Sequence, residues 1–376
     1  MPDKNGFPHY MLKEIFEQPK SLRDTISPRI SLEDAQVRIA DEVLIPAEEL
    51  RALRRINIVA SGTSRHAGMA GQYMFQELVQ LPVEVDYASE FEYRNPLIGG
   101  GELTIVITQS GETADTTAAQ REAKKKGSRT IAISNVMDST IAREADGVLY
   151  THAGPEISIA STKAFSAQMA VLFLFAAYLA QVREALSKQI LRKWLQELVA
   201  LPEKTEQVLK SSPECKRLAD RFHKFDDFLF LGRAIHYPIA MDGALKLKEV
   251  SYIHAEGYPT GETKHGPNAL IDEHLPVVIV ATCDRDDPGS VLRYEKNVAN
   301  IRGFKQQSAT VIAIATEGDT ELQDLVDHTI FIPKTPELLS PILEIVPLQL
   351  FAYHMAVRKG LDVDRPRNLV KSVMLE

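Results

Sequence analysis

The chain has 376 residues, 44% hydrophobic and 25% charged, which is enough apolar material for two or three ordinary domains and too much for a disordered polypeptide. Its formal net charge of −8 is spread along the chain rather than gathered in blocks, which excludes nucleic acid and anionic membrane as expected partners. Anionic small molecules stay open, because a local cradle of backbone N–H groups binds phosphate even on an acidic protein. Two cysteines, Cys215 and Cys283, cannot build a disulfide framework, and no basic region followed by an apolar run opens the chain, so a cytoplasmic location is expected.

In chain order, residues 9–15 read as a helical arm broken by Pro19. A buried strand over 54–60 ends in Ser61-Gly62-Thr63-Ser64, and a helical pattern follows to about residue 81. Strands are expected over 83–87 and 103–108, the second stopping at Gln109-Ser110-Gly111, then a helix over 113–126 closed by Gly127. Short β-rich runs lie at 130–134 and 148–151. The most apolar stretch, 169–180, is shorter than the roughly 20 residues of a membrane span and reads as a core or dimer-interface helix. Residues 181–212 read as helix, broken at Ser211-Ser212-Pro213.

The second half repeats the order of the first. A strand over 227–232 precedes a long helix over about 238–254, and strands at 276–281, 309–314 and 328–332 match the third, fourth and last strands of the first copy. A helix over 341–359 precedes a charged tail, 362–376, which by itself looks like a loose terminus. The expected organisation is an arm (1–45), a first domain (46–190), a helical linker (191–220), a second domain (221–361) and the tail (362–376). Strands alternating with helices imply α/β domains with parallel sheets covered on both faces.

Chemistry is expected where the copies differ. Ser61-Gly62-Thr63-Ser64 and Gln109-Ser110-Gly111-Glu112-Thr113 both leave strand ends, offering hydroxyls, a glycine and helix N-terminal N–H groups suited to phosphate. Ser161-Thr162-Lys163, opening another helix, could close the same pocket; the plain reading of any one such loop is an N-cap. The corresponding loops of the second copy, Gly232-Arg233-Ala234 and Ala281-Thr282-Cys283-Asp284, have lost the hydroxyl cluster, so one phosphate site per chain is expected, in the first domain. The second copy instead gains Lys246 and Glu249, three apart on one helix side, and Glu262-Thr263-Lys264-His265-Gly266-Pro267. A carboxylate, a histidine and lysines suit aldose–ketose interconversion; the plain readings are an exposed ion pair and a surface histidine. No metal motif, clustered acidic loop or nucleophilic cysteine loop is present, and no cofactor is expected.

Ser61-Gly62-Thr63-Ser64, Gln109-Ser110-Gly111-Glu112-Thr113, Ala160-Ser161-Thr162-Lys163-Ala164-Phe165 and the segment around His265 together resemble the sugar isomerase (SIS) family. Ala244 to Glu249, Ser251 to Glu256 and the tail from Asp364 to Val373 extend the likeness over nearly the whole chain, toward those members that isomerise and aminate fructose 6-phosphate. The resemblance implies two tandem SIS domains, each a flavodoxin-like parallel sheet flanked by helices, plus a C-terminal lid. It implies that Thr63, Ser64, Gln109, Ser110 and Thr113 bind a hexose 6-phosphate, with Ser110 and Thr113 at the phosphate. Ser61, Gly62, Thr108, Ala160 and Ser161 complete the substrate-binding set. Glu249 would carry the proton between C1 and C2, assisted by Lys246. His265 would open the ring from the neighbouring subunit of a homodimer with shared active sites, and Lys371 would form a Schiff base with the open ketose.

Two departures are mild: Ser61 stands where many relatives carry cysteine, and Thr108 replaces a frequent serine. A larger one is that this chain reads Met1-Pro2-Asp3 at its start and has no cysteine before Cys215, whereas full-length relatives begin with a glutaminase domain bearing an N-terminal nucleophilic cysteine. No glutamine hydrolysis is therefore expected from it, and its ammonia would come free or from a glutaminase partner. Two other readings within the family are a stand-alone amino-sugar-phosphate deaminase or deglycase, and a non-catalytic sugar-phosphate sensor. The tail ending at Lys371 speaks against the first, and the joint presence of Glu249, His265 and Lys371 against the second.

Overall fold

A computed structural model describes residues 3–372; Met1, Pro2 and residues 373–376 lie outside the described residues, and with them the end of the expected lid, including Val373. The chain divides into two compact units, each assembled from separated segments. The first holds Lys20–Glu156, Lys163–Ala200 and the tail from Val370; the second holds the chain up to Pro19, Ile157–Thr162 and Leu201–Leu369.

Each unit is built on a five-stranded, all-parallel sheet. In the first, Arg55–Ala60, Val83–Tyr87, Glu102–Ile107, Arg129–Ser134 and Gly147–Tyr150 pair in the spatial order 2-1-3-4-5, with Ile58 opposite Ile105 and Ile105 opposite Ile131. The strands form here because runs such as Ile56-Asn57-Ile58-Val59-Ala60 are β-rich and buried on both faces, as a helix-covered parallel sheet requires. The second sheet, from Asp227–Gly232, His254–Pro259, Val277–Val280, Val311–Thr316 and His328–Ile332, repeats the order 2-1-3-4-5. Identical order in two parallel sheets is the duplication expected from the sequence, and this order is the flavodoxin-like one.

The second copy's long helix and the linker differ from the sequence reading, and the apolar core helix is longer than its most apolar stretch. The second copy has a strand, His254–Pro259, where the long helix was expected to continue; the helix Tyr237–Ser251 stops earlier, at Tyr252 in a left-handed conformation (φ 59°). His-Ala-Glu-Gly-Tyr-Pro makes an edge strand, which needs no continuous apolar run. The linker is several helices, Lys188–Val199, Leu201–Leu209 and Ser212–Phe222, and Pro213 starts the last instead of breaking its predecessor. The apolar stretch at 169–180 belongs to a 20-residue helix, Lys163–Val182, because Lys163 and Gln168 are themselves buried within it. By length and hydropathy this helix and Ser340–Arg358 could each cross a membrane, yet 89% of the apolar window of each is buried in the fold, as in core helices. Lys163–Val182 packs in the first unit against Gly62–Val79, where Gly71 admits Leu172: a Cβ on that glycine would stand 3.0 Å from the leucine Cδ1.

The tail is tied down rather than loose. Within the second unit, the Asp364 carboxylate accepts from the backbone N–H groups of Tyr10 (3.0 Å) and Met11 (2.9 Å), capping the helix Tyr10–Phe16. Ile159 N donates to Asp364 O at 3.1 Å, and the Arg367 guanidinium lies 4.2 Å above the Tyr252 ring. Replacing Asp364 with alanine is expected to cost about 1–2 kcal/mol, the usual worth of a helix cap, read as a lowered urea midpoint at unchanged m-value.

Candidate functional site

In the first unit the two hydroxyl-bearing loops leave adjacent strands. Ala60 is paired with Ile107 at the carboxyl edge, and these two strands flank the point where the sheet order reverses, the place open α/β sheets offer to ligands. Ser61 is the N-cap of Gly62–Val79, and Ser64 Oγ accepts from Gln168 Nε2 at 3.0 Å. On the neighbouring loop, Thr108 Oγ1 lies 3.1 Å from Thr113 Oγ1 and accepts from Gly111 N at 3.2 Å, while Ser110 Oγ accepts from Glu112 N at 3.2 Å. Gly111 is obligatory: its φ is +71°, and a Cβ there would stand 1.9 Å from Ser139 Oγ. Gln109 contributes its backbone C=O to Asn135 N at 3.2 Å. The Glu112 carboxylate does not oppose an anion with an idle charge. Its Oε1 accepts from Thr140 N at 2.8 Å, and that hydrogen bond holds it below the usual carboxylate range.

The two copies diverge most clearly at one helix N-terminus. In the first, Thr113 caps Ala114–Lys125 without a side-chain hydrogen bond. In the second, Asp287 caps Pro288–Gln306 and its carboxylate accepts from Gly289 N (2.8 Å) and Ser290 N (3.1 Å). The second copy therefore carries its own anion on the N–H groups at this helix end, whereas the first has no side-chain cap there.

The second unit holds the residues expected to act as acid–base groups. Lys246 and Glu249 lie on the helix Tyr237–Ser251 with Nζ 2.5 Å from Oε2; the lysine side chain is 0% exposed and the glutamate 21%, so this is no surface ion pair. The lysine is sealed in and the carboxylate still reaches solvent, an arrangement in which a base meets a ligand while its partner cation stays fixed. His265 ends the 3₁₀ turn Thr260–His265 and is exposed. Ala160, buried, and Ser161, half-buried, belong to the Ile157–Thr162 segment of this unit.

Several groups were not singled out from sequence. His236, fully buried at the start of the Glu249 helix, has Nε2 3.2 Å from Glu337 Oε1 and Nδ1 2.9 Å from Glu344 Oε1. Burial alone would push this imidazole down, but the charge of Glu344 and the bond to Glu337 outweigh it and hold it up at about 10. Glu337, pushed up by burial, is brought down to about 2 by His236 and Arg293, and Thr282 Oγ1 donates to Glu344 Oε1 at 2.6 Å. In the first unit Lys371 Nζ lies 2.6 Å from Oε2 of Glu156, another residue outside every motif. Nothing local flags these partners: they come from segments tens to hundreds of residues apart. Both cysteines are buried, and burial pushes the Cys215 thiol up to about 12, which disqualifies it as a nucleophile. Among the described residues no three His, Cys, Asp or Glu side chains gather to hold a metal.

The chain was compared with known proteins. The family model described as "SIS domain" matches residues 49–178 and again 222–359. The chain is 47% identical over 374 residues to glutamine–fructose-6-phosphate aminotransferase [isomerizing] of Clostridium tetani, and 48% identical to a protein of that name from Thermus thermophilus. All of this chain is matched in both cases, but it spans only about 60% of the length of these curated relatives. Among solved structures, the C-terminal domain of glucosamine-fructose-6-phosphate aminotransferase from Francisella tularensis superposes with a TM-score of 0.90 at 37% identity, covering 97% of this chain and 100% of that one. A glucosamine-6-phosphate deaminase from Thermotoga maritima shares the fold at a TM-score of 0.72 and 24% identity, covering 97% of this chain and 100% of that one.

Proposed function

From the premise that this chain belongs to the SIS-domain family, we propose that it is the isomerase portion of a glutamine–fructose-6-phosphate aminotransferase, acting on fructose 6-phosphate. The phosphate is held by Ser110 and Thr113 with Thr63, Ser64 and Gln109, the hydroxyls donating and the open helix N-terminus favouring the dianion. Ser61, Gly62, Thr108, Ala160 and Ser161 shape the rest of the sugar site. Lys371 adds to the C2 carbonyl of the open ketose, Glu249 carries the proton between C1 and C2, and Lys246 fixes and polarises that carboxylate. His265 opens the ring, reaching the site from the neighbouring protomer of a dimer.

The observation that supports this reading best is the contrast between Thr113 and Asp287: of two equivalent helix N-termini, one is capped by a carboxylate and the other carries no side-chain cap. The aligned relatives extend well beyond the matched span, so glutamine hydrolysis is not assigned to these residues, and ammonia is supplied either free or by a glutaminase domain. Incubation with fructose 6-phosphate should yield glucose 6-phosphate, and with added ammonium glucosamine 6-phosphate. Neither product at high protein concentration overturns the assignment, and light scattering that finds active monomer overturns the shared site.

A further inference from the structure

Glu156 belongs to none of the sugar-site motifs, yet it is the acid that Lys371 meets. Its side chain is 0% exposed against 25% for the lysine, with Oε2 2.6 Å from Nζ. Its other oxygen, Oε1, accepts from Ala164 N at 3.1 Å in the first turn of the 20-residue helix Lys163–Val182, where backbone N–H groups favour a negative charge. Lys163, at the same helix end, is itself buried, with Nζ 3.7 Å from the place a Cβ on Gly154 would occupy. A carboxylate buried this deeply needs a cation beside it whenever it is ionised.

Building on the reading of Lys371 as the amine that adds to the ketose, we propose that Glu156 is the proton acceptor and standing counter-ion of that amine. An ammonium has no lone pair and cannot attack a carbonyl. As the ketose arrives, the Nζ proton passes to Glu156 Oε2, the free amine forms the C–N bond at C2, and the carbonyl oxygen takes one of the remaining amine protons to give a neutral carbinolamine. Glu156 then returns its proton to the departing hydroxyl, the C–O bond breaks, and water leaves. The sum is ammonium plus ketone giving iminium plus water, with no oxidant or reductant needed. The buried carboxylate ends as it began, ionised and beside the cationic nitrogen of Lys371.

Trapping the adduct with cyanoborohydride in the presence of fructose 6-phosphate, and locating it by mass spectrometry, tests this. The wild type is expected to label on Lys371 at a rate that changes little between about pH 7 and 9. Glu156→Gln, which keeps an oxygen for Ala164 N, is expected to trap about 100-fold more slowly at pH 7, in the range lost with a general base. Its rate should climb with pH, because hydroxide or solvent must then take the Nζ proton that the carboxylate no longer accepts. A merely structural role would lower the rate without that slope. Glu156→Asp, which keeps the charge but withdraws it by one methylene, should fall in between and serves if the glutamine variant does not fold. Equal rates and flat profiles in wild type and Glu156→Gln overturn the proposal alone, as does an unslowed Glu156→Asp. No adduct on Lys371 in the wild type removes the parent reading and this one with it.

Discussion

Glu249→Gln is expected to lower turnover of fructose 6-phosphate by about 10²–10⁴-fold, the range lost when a positioned general base is removed. Glutamine matches the shape of glutamate but cannot take a proton from C1 and return it to C2. Because the sugar-binding hydroxyls lie on other loops, kcat and kcat/KM should fall together while substrate affinity changes little, the pattern of an interaction made only in the transition state. In deuterated water the wild type should wash deuterium into the sugar at C1 and C2, seen by proton NMR, and the variant should not. The new amide oxygen can still accept from Lys246 Nζ, but a buried lysine then loses the negative charge of Glu249, so the far-ultraviolet spectrum must show that the variant is folded. Undiminished deuterium exchange would remove Glu249 from the proposed role.

His236→Leu is expected to destabilise the protein by about 3–5 kcal/mol, because it strands Glu344 and weakens the support of Glu337, both nearly excluded from water. Arg293 still holds Glu337, with Nε 3.0 Å from Oε1, whereas Glu344 keeps only the Thr282 hydroxyl among the contacts named above. A second change, Glu344→Gln, should therefore recover part of the loss in the double variant, which a simple packing defect would not allow. Since the folded imidazole is held up at about 10, from an ordinary 6.5, its contribution is complete below about pH 6.5 and is lost as pH rises through about 10. Glu337 acts in the opposite sense: held down to about 2 from 4.5, its contribution is present above about pH 4.5 and is lost as pH falls through about 2. Urea unfolding across pH should give the wild type a plateau between about 4.5 and 6.5, with a decline toward alkaline pH that His236→Leu lacks. An alkaline decline of the same size in the variant would show that the histidine charge is not its source.

The helix destabilised in that variant is the one that carries Lys246 and Glu249, so structural and chemical roles meet on Tyr237–Ser251. Its sequence announces the spacing of the two groups but not their environment. An i, i+3 lysine–glutamate pair on a helix is ordinarily a surface feature, and only the packing around it makes this lysine a sealed one. The edge strand His254–Pro259 escaped the sequence reading because only one of its six residues, Ala255, is fully buried, and Pro213 was misread because proline both ends helices and begins them.

What the amino-acid sequence determined by itself is whatever depends on neighbours in the chain. That covers the buried β-rich runs, the Ser/Thr-Gly turns that follow them, the helix stop at Gly127, and the repetition that betrays two copies of one α/β plan. Tertiary structure alone decided which charges are buried and against what. Asp364 caps a helix 354 positions away in the chain, and Lys371 meets Glu156 across 215 positions. His236 is a cation because two carboxylates from later segments close around it. The physical reason is that propensity and turn chemistry act over a few residues, whereas the cost of burying a charge is set by every atom around it, and that surrounding exists only once the chain has folded.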